Sequence, residues 1–125
     1  MSDPVNYLHL FKHADDAVAY PAGTILFQEG DPGEHTYVIK SGKVELKHGD
    51  TILETIEEGA IFGEMALLDG EKRSATAVAV TDCQLVPIDQ RRFRFLVQQT
   101  PYFAQHVMKV MAARLRRLTK QLDRP

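Results

Sequence analysis

A carboxylate, an arginine and a hydroxyl lie close together in the middle of the chain, within residues 62–76. Arg73 follows Glu64 by nine positions, with an Asp-Gly turn between them. The planar guanidinium group can bind two phosphate oxygens at once, so an arginine suits an anion site better than a lysine. Ser74 adds a hydroxyl, and Ser74 and Ala75 add backbone donors. The segment therefore predicts an anion site.

Gly63 opens this segment and, lacking a Cβ, allows close backbone approach and unusual φ values. Residues 64–68 predict one or two helical turns, whose free N–H groups attract anions. A carboxylate beside a phosphate would repel it, so we expect Glu64 to accept a hydrogen bond from a sugar hydroxyl of the same ligand. The combination indicates a sugar phosphate or a nucleotide.

Residues 62–76 resemble the phosphate-binding cassette of the cyclic nucleotide-binding domain family. That family is known from catabolite activator proteins, regulatory subunits of cyclic-nucleotide-dependent kinases and cyclic-nucleotide-gated channels. The resemblance extends to the glycine-spaced strands before the cassette and the paired helices after it. One departure is Lys72, where many members carry proline, which loosens the turn before Arg73 but removes no ligand contact.

The resemblance implies reversible binding of a 3′,5′-cyclic nucleotide, cAMP ahead of cGMP, without chemistry and without a cofactor or metal. Arg73 would pair with the cyclic phosphate, helped by Ser74 and the N–H of Ala75. Glu64 would take the ribose 2′-hydroxyl. The expected ligand-binding residues are Leu46, Phe62, Gly63, Glu64, Met65, Ala66, Arg73, Ser74, Ala75 and Arg114.

The contacts to the base come from outside the cassette. Leu46 would reach the base from a strand. Arg114 would cover it from the last helix, where it resembles the arginine that stacks on the purine in some bacterial channel members. A solvated helix face is the alternative for Arg114. Ser74 could bind a guanine amino group as well as a phosphate, so both bases stay open.

Short strands punctuated by glycine surround the cassette. His48-Gly49-Asp50 predicts a tight hairpin turn between two of them. Such spacing is typical of a jelly roll or barrel, and the resemblance implies an eight-stranded β-roll in a mainly β fold with flanking helices. The runs that predict strands are residues 17–20, 24–28, 36–40, 43–47, 51–56, 75–81 and 84–88.

Helices are predicted at both ends. Asp3 can cap a short helix at Val5–His13. Asp89 can cap a second, with Phe93, Leu96 and Val97 on its buried side. Thr100-Pro101 starts a third. The third carries a heptad-like stripe whose members are Met108, Met111, Leu115, Leu118 and Leu122.

We expect one domain over residues 1–125. It would comprise an N-terminal helix (1–14), a β-roll (15–88) and C-terminal lid helices (89–125). The apolar stripe of the last helix predicts packing against the barrel or the preceding helix, with a seam to another subunit as the competing interpretation.

Composition narrows the function classes. The net charge of −2 gives no general attraction to nucleic acid or to a membrane surface. The single cysteine, Cys83, allows no internal disulfide, which fits a cytoplasmic protein. No apolar run approaches the ~20 residues of a membrane-spanning helix. The histidines stand alone, which argues against a metal-dependent cupin enzyme.

The remaining hypothesis classes are a sensor and an interaction module. As a sensor, the domain would pass its signal through its C-terminal helices to a protein partner in trans, or by self-association through the last helix. As an interaction module of the same fold, it would have weak or lost nucleotide binding. An enzyme of cupin type is a distant third.

Overall fold

The computed structural model describes residues 16–122, so the helix predicted at Val5–His13 lies outside the described part. Within it, the strands are β1 (Val18–Tyr20), β2 (Ile25–Phe27), β3 (His35–Ser41), β4 (Val44–His48), β5 (Thr51–Ile56), β6 (Ile61–Phe62), β7 (Thr76–Ala79) and β8 (Cys83–Asp89). The helices are α1 (Glu64–Asp69), α2 (Gln90–Gln99) and α3 (Pro101–Leu122).

The strands form two four-stranded antiparallel sheets, in the orders β1-β8-β3-β6 and β2-β7-β4-β5. The predicted mainly β, eight-stranded roll is confirmed. The predicted hairpin is also confirmed, because His48 pairs with Thr51 across the turn.

The central strands β3 and β8 of the first sheet bury side chains on both faces, which explains their consecutive apolar residues. Val38 and Ile39 are adjacent on β3, yet they belong to different hydrophobic clusters. Val38 faces α2 and α3, whereas Ile39 faces the second sheet. The helices therefore pack on the outer face of the sheet whose inner face closes the roll.

Local capping explains where α2 and α3 begin. Asp89 is the N-cap of α2, and its carboxylate accepts from the Arg92 N–H at 2.8 Å. Pro101 starts α3, where its missing N–H costs no hydrogen bond. Phe93 of α2 meets Phe103 of α3 edge to face, with ring centroids 5.3 Å apart.

The buried face of α3 differs from the predicted stripe. Phe103 and Val107 are buried in the core, with Val110 and Met111 packed against it. Met108 and Leu115 are 62% and 64% exposed. The prediction that the whole stripe packs inward is therefore wrong for these two residues, and the side chains of residues 118 and 122 lie outside the description.

Candidate functional site

The cassette residues fold into a short helix bounded by two glycines. Gly63 precedes α1 with φ 78°, and Gly70 follows it with φ 71°. A Cβ on Gly63 would lie 2.8 Å from Nη1 of Arg73, so both the backbone conformation and the space require glycine there. The predicted helix at residues 64–68 is confirmed, with one further residue at its end.

Arg73 reaches back from the loop before β7 and lies beneath the start of α1. Its Nη1 donates to the Gly63 carbonyl at 2.8 Å, and its Nη2 donates to the His35 carbonyl at 2.5 Å. The guanidinium lies over the Phe27 ring, 4.0 Å from its centroid. The side chain is fixed by these contacts before any ligand arrives.

No carboxylate among residues 16–122 forms a direct ion pair with Arg73, although Asp31 and Glu64 favour its charge from farther away. Arg73 is only 5% exposed, and burial lowers its pKa from the ordinary value. Among residues 16–122 it forms no ion pair, and its buried Nε has no hydrogen-bond partner. A buried cation in this condition is stabilised by an anion that brings its own acceptors.

Glu64, the predicted acceptor for a sugar hydroxyl, is already engaged. Its side chain is 1% exposed, and its Oε1 pairs with Nη1 of Arg114 from α3. Arg114 also pairs with Glu54 of β5, where its Nη2 lies 2.9 Å from Oε2. Arg117, one turn further along α3, contacts the other oxygen of Glu54 at 2.5 Å. This four-residue cluster joins the cassette, β5 and α3.

A cavity of about 200 Å³ opens between these elements. Its charged lining consists of three arginines and two glutamates, a net charge of +1. The lining residues are Phe27, Leu46, Leu53, Glu54, Gly63, Glu64, Met65, Ala66, Arg73, Ser74, Ala75, Arg114 and Arg117. An apolar wall with a small cationic excess suits a ligand that combines a flat ring with a single negative charge.

The structure places nine of the ten predicted ligand-binding residues on this cavity, and Phe62 is the exception. Phe62 is fully buried in the core between the sheets, where its ring stacks on Tyr37 with centroids 5.4 Å apart. It supports the cassette from below without lining the cavity.

Sequence reasoning missed four residues of the lining, which are Phe27, Leu53, Glu54 and Arg117. Glu54 could have been found from strand pairing, because it lies directly opposite Leu46 across β4 and β5. Arg117 follows Arg114 by one helical turn. Phe27 carries no local signal, since its proximity to Arg73 depends on the tertiary fold.

The described residues show neither a metal-binding cluster nor a membrane-spanning helix. No group of three or more His, Cys, Asp or Glu side chains within residues 16–122 is arranged to hold a metal ion. None of the helices in the same range is long and apolar enough to cross a membrane.

Comparison with known proteins points to one family. The family model described as "Cyclic nucleotide-binding domain" matches residues 17–100. The cyclic AMP receptor protein of Thermus thermophilus is 37% identical over 109 residues, covering 83% of this chain and 50% of the relative. The cAMP-dependent protein kinase regulatory subunit of Aspergillus niger is 38% identical over 84 residues, covering 66% of this chain and 20% of the relative.

A solved structure agrees with these sequence matches. The crystal structure of the Thermus thermophilus catabolite activator protein superposes with a TM-score of 0.77 at 37% identity, covering 86% of this chain and 53% of that one. The chain thus spans about half the length of the bacterial relatives and a fifth of the kinase subunit.

Proposed function

Because this chain belongs to the cyclic nucleotide-binding domain family, we propose that it is a non-catalytic sensor that reversibly binds a 3′,5′-cyclic nucleotide. The observation that carries the proposal is Arg73, a buried guanidinium with an unpartnered Nε in the wall of a cavity of matching charge. Because the two relatives are a cyclic AMP receptor protein and a cAMP-dependent kinase subunit, cAMP is the first ligand to test and cGMP the second.

The cyclic phosphate would bind where Arg73, Ser74 and Ala75 meet. Two of the five N–H groups of Arg73 are already engaged by the His35 and Gly63 carbonyls, so the remaining three can serve a phosphate oxygen, and Nε is the nitrogen with no partner at all. The Ser74 hydroxyl and the Ala75 N–H supply the remaining donors. Charge-assisted hydrogen bonds of this kind contribute about 1.5–3 kcal/mol each.

The sugar and the base would occupy the rest of the cavity. Glu64 would accept from the ribose 2′-hydroxyl, in place of or beside Arg114. Leu46 offers an apolar contact to the base from β4, and Arg114 offers a planar cation above it from α3. Residues 63–66 would present the backbone that faces the ribose.

The response would leave through α3. A ligand shifts a conformational equilibrium only by its different affinities for the two states, and Arg114 connects α3 directly to the predicted ribose acceptor. Met108 and Leu115 lie two turns apart on α3 and are both exposed, so they provide an apolar surface for a partner or a second copy. The same surface favours the interaction module as the second candidate function.

Isothermal titration calorimetry with cAMP and cGMP, run side by side, tests the proposal. We expect one nucleotide to bind with one site per chain. Arg73→Ala should weaken that binding by roughly ten- to a hundredfold or more, because a charge-assisted hydrogen bond is lost. Arg94→Ala is the matched control, since Arg94 is exposed on α2 and does not line the cavity.

Two outcomes would overturn the proposal. If neither nucleotide binds the wild-type chain at millimolar concentration, the interaction module becomes the better description. Equal affinities of the wild-type and Arg73→Ala proteins would remove Arg73 from the binding site.

Arg114→Ala should chiefly speed nucleotide release in a stopped-flow displacement experiment, and an unchanged release rate would place Arg114 outside the base contact.

A further inference from the structure

Glu54 is a largely but not fully buried carboxylate that lies outside the cassette. It lies on β5, its side chain is 14% exposed, and it holds two arginines of α3. Nε and Nη2 of Arg114 lie 3.0 Å and 2.9 Å from its Oε2, and Nη2 of Arg117 lies 2.5 Å from its Oε1. Both carboxylate oxygens are therefore directed to the helix that covers the cavity.

The nitrogens of Arg114 contact two carboxylates that belong to different parts of the fold. Nη1 pairs with Glu64, whereas Nε and Nη2 pair with Glu54. Glu64 belongs to the cassette, and under the proposed function it turns to the ribose when a nucleotide binds. Glu54 lies on a strand of the roll, so its contact with Arg114 does not depend on Glu64 being free. Arg114 would then stay at the cavity instead of leaving with α3.

The geometry of this pair makes it stronger than an ordinary surface ion pair. The Arg114 and Glu54 side chains are 17% and 14% exposed, and two nitrogens of one guanidinium face one carboxylate. Arg117 is 56% exposed, so its contact with Glu54 is more strongly screened by solvent. Arg114 should therefore account for most of the effect of Glu54.

We propose that Glu54 is a positioning residue that docks α3 on the roll in the absence of nucleotide. It fixes Arg114 at the cavity beforehand, so the covering group is in place before a ligand binds. The docking itself does not require the proposed function, whereas the benefit to nucleotide retention rests on it.

The docking can be measured without any nucleotide. Spin labels at Ala113→Cys on α3 and Asp50→Cys in the β4–β5 turn report the separation of helix and roll by pulsed electron paramagnetic resonance, because both positions are exposed. Cys83 is 2% exposed and is therefore protected from labelling. We expect one narrow distance in the otherwise wild-type protein and a broad distribution reaching longer distances in Glu54→Gln.

Other variants separate docking from general damage. Arg114→Gln should broaden the distance distribution in the same way. Adding Glu54→Gln to it should cause little further change, because both substitutions break the same contact between Arg114 and Glu54. Glu57→Gln is the matched control, since Glu57 follows β5 but pairs with Lys43 in an exposed pair at 3.5 Å. A narrow distance retained in Glu54→Gln and Arg114→Gln, or a broad one already in the wild type, would overturn the proposal.

The nucleotide arm uses cAMP as the probe. In Glu54→Gln we expect cAMP release to be about five- to tenfold faster, equivalent to roughly 1–1.4 kcal/mol, whereas Glu57→Gln should match the wild type. Unchanged release would overturn the positioning role. If cAMP does not bind the wild-type protein, the proposed function fails for this ligand, and the distance measurement still decides whether Glu54 docks α3.

Discussion

Arg73→Ala should destabilise the protein even when no nucleotide is present. The guanidinium donates to the carbonyls of His35 and Gly63 and lies 4.0 Å above the Phe27 ring, all within a buried site. Removing a charge-assisted hydrogen bond costs about 1.5–3 kcal/mol, and two are lost together. Relief from burying the cation, whose pKa burial lowers, offsets part of this cost. We expect a net loss of about 2–4 kcal/mol in the free energy of unfolding.

Urea unfolding followed by far-UV circular dichroism measures this loss directly. In thermal unfolding it corresponds to a melting temperature lower by roughly 8–16 °C, at about 4 °C per kcal/mol for a domain of this size. Arg94→Ala removes an exposed arginine and should stay within about 0.5 kcal/mol of the wild type. If Arg73→Ala were no more destabilised than Arg94→Ala, Arg73 would not be the internal clamp that the structure describes, and its binding defect could not be attributed to a preformed site.

Three further predictions concern the same region. Glu64→Gln keeps the shape of the side chain but removes its charge, so cAMP affinity should fall about tenfold or more in calorimetry; unchanged affinity would exclude the sugar contact. Gly63→Ala and Gly70→Ala both force a side chain into left-handed backbone, at about 1–2 kcal/mol each, but only Gly63→Ala puts a Cβ against Arg73 and should also weaken cAMP binding. Burial raises the pKa of Tyr37, so the unfolded chain loses this proton first as pH rises. The free energy of unfolding that this tyrosine contributes below about pH 10 should therefore be lost as the pH rises above that value, as measured by urea titrations. The free energy of unfolding of Tyr37→Phe should fall less over the same pH range. Equal slopes against pH for the two proteins would contradict this assignment.

Local chemistry made much of the fold predictable. The hairpin after His48 and the helix starts at Asp89 and Pro101 are specified by turn and cap residues that act within a few positions. The strand β6 was not among the runs identified as strands. It is only two residues long, and Ile61 and Phe62 become a strand because they pair with β3.

The error on α3 has a similar origin. Spacings of three and four fit Phe103, Val107 and Val110 as well as they fit the methionines and leucines, and the first set is the one that packs. Continuing that face leads to Arg114, which looks like a polar interruption in the sequence. Only the carboxylates of Glu54 and Glu64, supplied by distant parts of the chain, make an arginine suitable there.

The candidate site also has one part that could be predicted from local sequence and one part that could not. The cassette residues could be identified because they are contiguous in the sequence and because their side chains indicate what they can bind. The opposite wall of the cavity is assembled from β2, β5 and α3, so no single stretch of sequence describes it. Arg114 was identified through a family resemblance, whereas its ion pairs could be found only from the fold.

The charge balance of the cavity also determines which phosphates it should accept. Three arginines and two glutamates leave one positive charge to be neutralised. A cyclic phosphodiester carries one negative charge and would leave the filled cavity neutral. A phosphomonoester carries about 1.5–2 negative charges near pH 7, so AMP would bring an excess of anionic charge against Glu64. The protein should therefore distinguish the cyclic nucleotide from its hydrolysis product by charge as well as by shape, and AMP should compete with cAMP only weakly in calorimetry.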